Sequence, residues 1–211
     1  MKNRFNSHFF WGSHSPFSAL TGVGLIVLAS SKFAFALIST GALLWVYGLT
    51  ALVFSSARPI LPARGRMIIL LFLSAFFCGV FMLLASLINP LLILGTGFFL
   101  ILIPLYCLGS GFFDASETLK PTDLLYRGVI EAAMLGGIIL AIALIREPLG
   151  TGTLSFPGGS QGILELFSSP DAETLPARLL SSSAGGLLLL GYGIALFRYV
   201  KERNGISEES R

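Results

Sequence analysis

Six apolar runs follow one another along this chain, roughly 16–31, 33–54, 67–89, 91–113, 124–145 and 179–197, and they limit its folds more than any other feature. About 20 apolar residues in a helix cross a hydrocarbon core of roughly 30 Å. No water satisfies backbone N–H and C=O groups inside lipid, so each run must be a helix that closes its own hydrogen bonds. Only 12% of the 211 residues are charged and 54% are hydrophobic, whereas a soluble domain carries roughly a quarter charged residues. With so few polar groups the chain could not cover its own surface in water. The expectation is an all-α polytopic membrane protein in contact with the lipid bilayer, a single domain over residues 1–211 with no soluble domain.

The runs are punctuated in readable ways. The first is short and contains glycine, and only Ser30-Ser31-Lys32 separates it from the second. His8-Phe9-Phe10-Trp11 precedes it and reads as an interfacial aromatic belt. Asn89-Pro90 marks a tight turn between the third and fourth runs, because proline lacks a backbone donor and disfavours helix in the residue before it. Glycine, proline and serine crowd the loop 146–178 too densely for a long helix, leaving room for a short amphipathic turn at Ile163–Phe167. Arg146-Glu147 closes the fifth run, with the glycines beyond it as the stop, and residues 200–211 form a cytoplasmic tail.

Six crossings put both termini on one side. That side carries eleven of the fourteen Lys and Arg residues, and only Lys32, Arg146 and Arg178 fall on the other. The bias predicts both termini in the cytoplasm. Although the sequence pI is about 9.1, no basic stripe is interleaved with aromatics, so nucleic acid is not an expected partner. The six spans divide as three plus three, repeat one over about 16–89 and repeat two over about 91–199. An odd number of helices per half makes the halves inverted. The first and fourth helices are expected to be short or broken, at GVGL 22–25 and CLGSG 107–111.

Few residues could carry chemistry. Cys107 is either a small buried hydrophobe or a thiolate metal ligand, and a single cysteine cannot hold an iron–sulfur cluster. Cys78 lies on another helix, with no CxxC partner. Glu131 lies inside the fifth run, where an ionisable group costs on the order of 2.5–3.5 kcal/mol. It is either an ion-path candidate or a snorkelling partner of Arg127, four residues earlier. His8 and His14 read as interfacial residues, and no catalytic or nucleotide-binding motif is present.

Beside this reading stands a resemblance. IREPLGTGTLSF at 145–156 resembles the R-E-x-x-G-x-G-[ST]-L-F segment of the Rnf–Nqr integral membrane subunits. Cys107, Gly111, Asp114 and Ala115 match the spacing of that family's N-C-x-x-x-G-x-x-E-A. Gly128 and Gly136-Gly137 resemble its glycine-rich fifth helix, and GGLLLLGYGIALFRYVKER at 185–203 its last helix. The likeness covers most of residues 16–203 and favours the NqrD/RnfE branch.

The resemblance implies a paralogous NqrE/RnfA-like partner subunit, further complex subunits, and a bacterial inner-membrane location. It implies a [2Fe–2S] cluster shared between the paired subunits, with Cys107 as one ligand, relaying electrons coupled to Na+ or H+ movement. Such a subunit belongs to a multi-subunit ion-translocating oxidoreductase and performs no catalysis alone. The chain departs from the pattern at Gly24, which stands where the family carries its first-helix cysteine, and at GFFDA in place of R-A-E-A. Three functions therefore stand open: a subunit that relays electrons, a redox-silent subunit that scaffolds partners or lines the ion path, and a small secondary transporter using Glu131.

Overall fold

The computed structural model describes residues 20–58, 65–110, 112, 121–158, 162–168 and 178–209. His8, His14, the aromatic belt, Gly111, Asp114 and Ala115 lie outside them. Helices α1 (Leu20–Ala29), α2 (Phe33–Ala57), α3 (Arg66–Ile88), α4 (Pro90–Leu100), α5 (Leu102–Gly109) and α6 (Pro121–Thr151) come first. A hairpin of β1 (Thr153–Pro157) and β2 (Ile163–Ser168), a 3-10 turn at Arg178–Ser181 and helix α7 (Ser183–Glu209) complete the order. Among the described residues, four segments are long and apolar enough to cross a membrane: α2, α3, α4 with α5 as one 20-residue stretch, and α6. Leu87, Ile88, Leu94 and Phe98 are each more than three-quarters exposed. Large apolar side chains facing outward in such density mark a lipid-facing surface rather than a wetted one.

Asn89-Pro90 forms the turn its composition suggests, for a legible reason. The Asn89 side chain accepts from Leu92 N–H at 3.2 Å, capping α4 while Pro90 occupies its first position. Both choices suit the orphaned donors of a helix start. Asn89 Nδ2 also donates to Gly162 O at 2.8 Å, fastening the hairpin to this helix end.

The fourth run is interrupted at Ile101 as well as ending at Gly109 within CLGSG. The turn falls at Ile101, three residues before Pro104. A helical proline supplies no N–H to the carbonyl four residues earlier, and here that carbonyl is Leu100 O. The Cys78 thiol on α3 donates to it at 3.3 Å. Cys78 thus satisfies the group that Pro104 orphans. Cys78→Ala is expected to lower stability by about 1 kcal/mol by leaving that carbonyl buried and unpaired. Cys78→Ser, which keeps a donor, is expected to restore it; thermal unfolding of the purified protein reads the difference.

Two other expectations need correction. Arg146-Glu147 does not close the fifth helix: α6 continues through Pro148 to Thr151. The stop is Gly152, whose φ of +68° turns the chain into β1. Ile163–Phe167 is strand rather than an amphipathic turn, because it pairs antiparallel with Thr153–Pro157 across a bulge at Leu154/Ser155. Residues 201–209 continue helix α7.

The most extensive helix pairing is α2 with α6. Within lipid such pairs are held by close packing and interhelical hydrogen bonds rather than by the hydrophobic effect. Gly136 lies directly against Thr40, whose hydroxyl donates to Ala36 O at 2.8 Å and reaches Gly136 O at 3.3 Å. Tyr47, Leu135, Ile139 and Ala143 extend the buried seam.

Candidate functional site

Two buried polar clusters lie at different levels of the bundle. One gathers around Arg146 and Glu147, beside the hairpin. Arg146 is 2% exposed, and all five of its N–H donors find oxygen. Nε donates to Leu180 O at 2.8 Å, and Nη2 to Ser181 O and Ser182 O at 3.0 and 2.9 Å. Nη1 donates to Val27 O at 2.6 Å and Ser30 Oγ at 3.1 Å. The sequence suggested that this cation closes its own helix. Instead it binds the end of α1 and the turn that leads into α7.

Glu147 does the complementary work. Its Oε2 accepts from Phe33 N–H at 2.6 Å, at the start of α2. Ser155 Oγ accepts from the neighbouring Ala34 N–H at 3.3 Å. Cations suit helix C-termini and anions suit N-termini. Adjacent residues of opposite sign therefore grip the two sides of the α1–α2 corner, which the sequence leaves soft at Ser30–Lys32. The motif is a structural clasp.

The other cluster lies between α2, α5 and α6. Tyr47, Tyr106 and Cys107 are fully buried, and Ser110 and Glu131 are 1% and 2% exposed. The Tyr47 hydroxyl and Ser110 Oγ are hydrogen-bonded at 3.1 Å, and Ser110 Oγ reaches Cys107 O at 3.3 Å. Glu131 is within electrostatic reach of Tyr47, Tyr106 and Cys107. Phe112 closes one side, its ring edge-on to Tyr47 at 5.3 Å and packed over Gly128. Neither Glu131 oxygen has a hydrogen-bond partner, and the same holds for Tyr106 Oη, Thr50 Oγ1 and Arg127 Nε. Arg127 bears on Glu131 through space but does not bond to it, so the hydrogen-bonded snorkelling pair is not formed.

The structure thus brings Cys107 and Glu131 together and leaves Cys78 and Gly24 to other tasks. Tyr47, Tyr106 and Ser110 are the members that sequence reasoning missed. Their signal was faint but present: hydroxyls inside apolar runs, with Tyr106 and Ser110 one helical turn apart.

The donor set does not fit a [2Fe–2S] cluster. Cys107 is enclosed by this chain's own atoms, whereas a shared ligand must present its sulfur to the partner. At Gly24 an added Cβ would meet nothing within 4 Å, so that position faces open space and carries no ligand atom. Among the described residues no three His, Cys, Asp or Glu side chains converge. What the cluster holds is one buried carboxylate with the hydroxyls of Tyr47, Tyr106 and Ser110 and the Arg127 guanidinium nearby. No protein-family model matches this sequence, and no curated protein matches it.

Proposed function

We propose that this chain is an integral membrane subunit of an Rnf/Nqr-like ion-translocating electron-transport complex, in a redox-silent form that lines the ion path. The observation that carries the silent reading is the enclosure of Cys107, with glycine at position 24. Support for the setting is the IREPLGTGTLSF resemblance, whose arginine and glutamate form the clasp at one end of the bundle. An inverted pair of three-helix repeats accommodates the short α1 and the α4–α5 break at corresponding places. The end holding the hairpin carries Lys32 and Arg146, so the excess of cations at the other end orients both termini to the cytoplasm of a bacterial inner membrane. A paralogous NqrE/RnfA-like subunit is the proposed neighbour.

The test is isolation of the tagged chain from native membranes. Wild type and Cys107→Ser are expected to carry the same redox subunits and the same electron-transfer activity. Isolation without any redox subunit removes the complex from the reading, and loss of electron transfer in an intact Cys107→Ser assembly removes the silence. The unpaired Glu131 carboxylate also favours a second reading, a small secondary transporter. Proteoliposomes holding this chain alone would then show an ion flux that Glu131→Gln abolishes; no flux rejects it.

A further inference from the structure

Beside the corner that joins α3 to α4 lies a cavity of about 350 Å³, bounded by α2, that corner and the hairpin. Its size falls within the roughly 300–1,000 Å³ of small-molecule sites. Ile38 from α2, Ala85 and Ile88 from α3, Leu91 from α4 and Pro157 from β1 give it apolar walls. Asn89, Gly158 and Gly162 form a polar rim. Two bonds to one atom fix that rim: Gly162 O accepts from Gly158 N–H at 3.1 Å and from Asn89 Nδ2 at 2.8 Å. At Gly158 an added Cβ would meet nothing within 4 Å, so the rim stays open there. Protein interiors leave few voids larger than a water molecule, so a cavity of this size behind a pinned rim is a built feature.

Its position selects the occupant. No charged residue lies between Arg66 and Asp114. Helix α3 runs 23 residues from Arg66, roughly 35 Å at about 1.5 Å per residue. That length matches a hydrocarbon core of roughly 30 Å, so the cavity lies at the far boundary, where acyl chains meet their ester groups. Ile88 and Leu91 line it and are 88% and 54% exposed. Its walls therefore run directly into the lipid-facing surface of Leu87 and Leu94. Among the described residues none that lines it is charged, which argues against a free anion or an ionic headgroup inside. Asn89 Nδ2 carries two N–H donors, and Gly162 O takes one; the other suits an ester carbonyl. We propose that this cavity holds the ester-proximal part of one phospholipid acyl chain, with its carbonyl on Asn89 and its headgroup beyond the hairpin rim. The site depends on the chain spanning a bilayer and on nothing in its redox reading.

The test irradiates the purified full-length chain with a phosphatidylethanolamine that carries a diazirine in the upper half of one acyl chain. Peptide mass spectrometry locates the adducts. Labelling of residues 85–93 and 157–158 is expected to saturate and to exceed that of the outward-facing Phe72 and Phe76 at least fivefold. Unlabelled phosphatidylethanolamine is expected to compete, whereas glycerophosphoethanolamine, a headgroup without chains, is not. Ala85→Phe fills the cavity from α3 and is expected to cut the saturable labelling at least fivefold, with labelling at Phe72 and Phe76 as in wild type. Ile38→Trp fills it from α2 and serves should thermal unfolding show that Ala85→Phe does not fold. Labelling spread evenly over the exposed helices overturns the site, as does saturable labelling that the folded variants leave unchanged. Displacement by decylubiquinone but not by phospholipid overturns the phospholipid occupant in favour of a ring-headed lipid.

Discussion

Arg146→Ala is expected to abolish accumulation of folded protein in the membrane, or to lower stability by at least about 4 kcal/mol where it can be measured. The reason lies in the bonds it would abandon. Val27 O, Leu180 O, Ser181 O, Ser182 O and Ser30 Oγ would each lose the guanidinium donor they share. A charge-assisted bond contributes roughly 1.5–3 kcal/mol, and folded proteins hold only about 5–15 kcal/mol in total. Arg146→Lys is expected to fall between, since three donors on a point charge cannot span two helix ends as a planar fork does. Thermal unfolding in detergent and membrane accumulation read both. An Arg146→Ala protein as stable as wild type would show that the clasp contributes nothing.

Gly185→Ala should be nearly as damaging, although it adds one methyl group. The new Cβ would run into Leu179 O and Leu180 Cα, with Leu180 C at 2.9 Å. Those atoms are backbone, and Arg146 holds the Leu180 carbonyl in place, so the turn cannot retreat without breaking the clasp. Overpacking of this kind costs roughly 1–3 kcal/mol, and more where the neighbour is fixed. Gly24→Ala is the control: its Cβ meets nothing within 4 Å, and its effect on unfolding temperature should be small. Equal effects at the two positions would contradict this packing.

Much of the helical layout was legible, because the apolar runs and Asn89-Pro90 impose local requirements that tertiary structure cannot override. In the fourth run, α5 ends at Gly109 within CLGSG, but the earlier interruption at Ile101 was not read from the sequence. Glycine-rich CLGSG drew attention, whereas Pro104 removes the hydrogen bond. Helix α6 overran its expected end because Arg146 and Glu147, read as a polar terminus, are buried by partners more than 100 residues away at Val27 and Phe33. No local pattern reveals such partners. The same holds for Ile163–Phe167, which becomes strand only by pairing with Thr153–Pro157. Within the buried cluster, Cys107 and Glu131 stood out by type. Tyr47, Tyr106 and Ser110 did not, since a hydroxyl in an apolar helix acquires meaning only from what faces it.

What remains decisive is the state of Cys107. Iron content and the [2Fe–2S] signal in electron paramagnetic resonance should be compared, under anaerobic conditions, between wild-type and Cys107→Ser chains purified together with the paralogous subunit. Unchanged iron and an unchanged signal are expected, since the thiol is enclosed and position 24 carries no ligand. Loss of a stoichiometric cluster on removing that one sulfur would contradict the redox-silent reading.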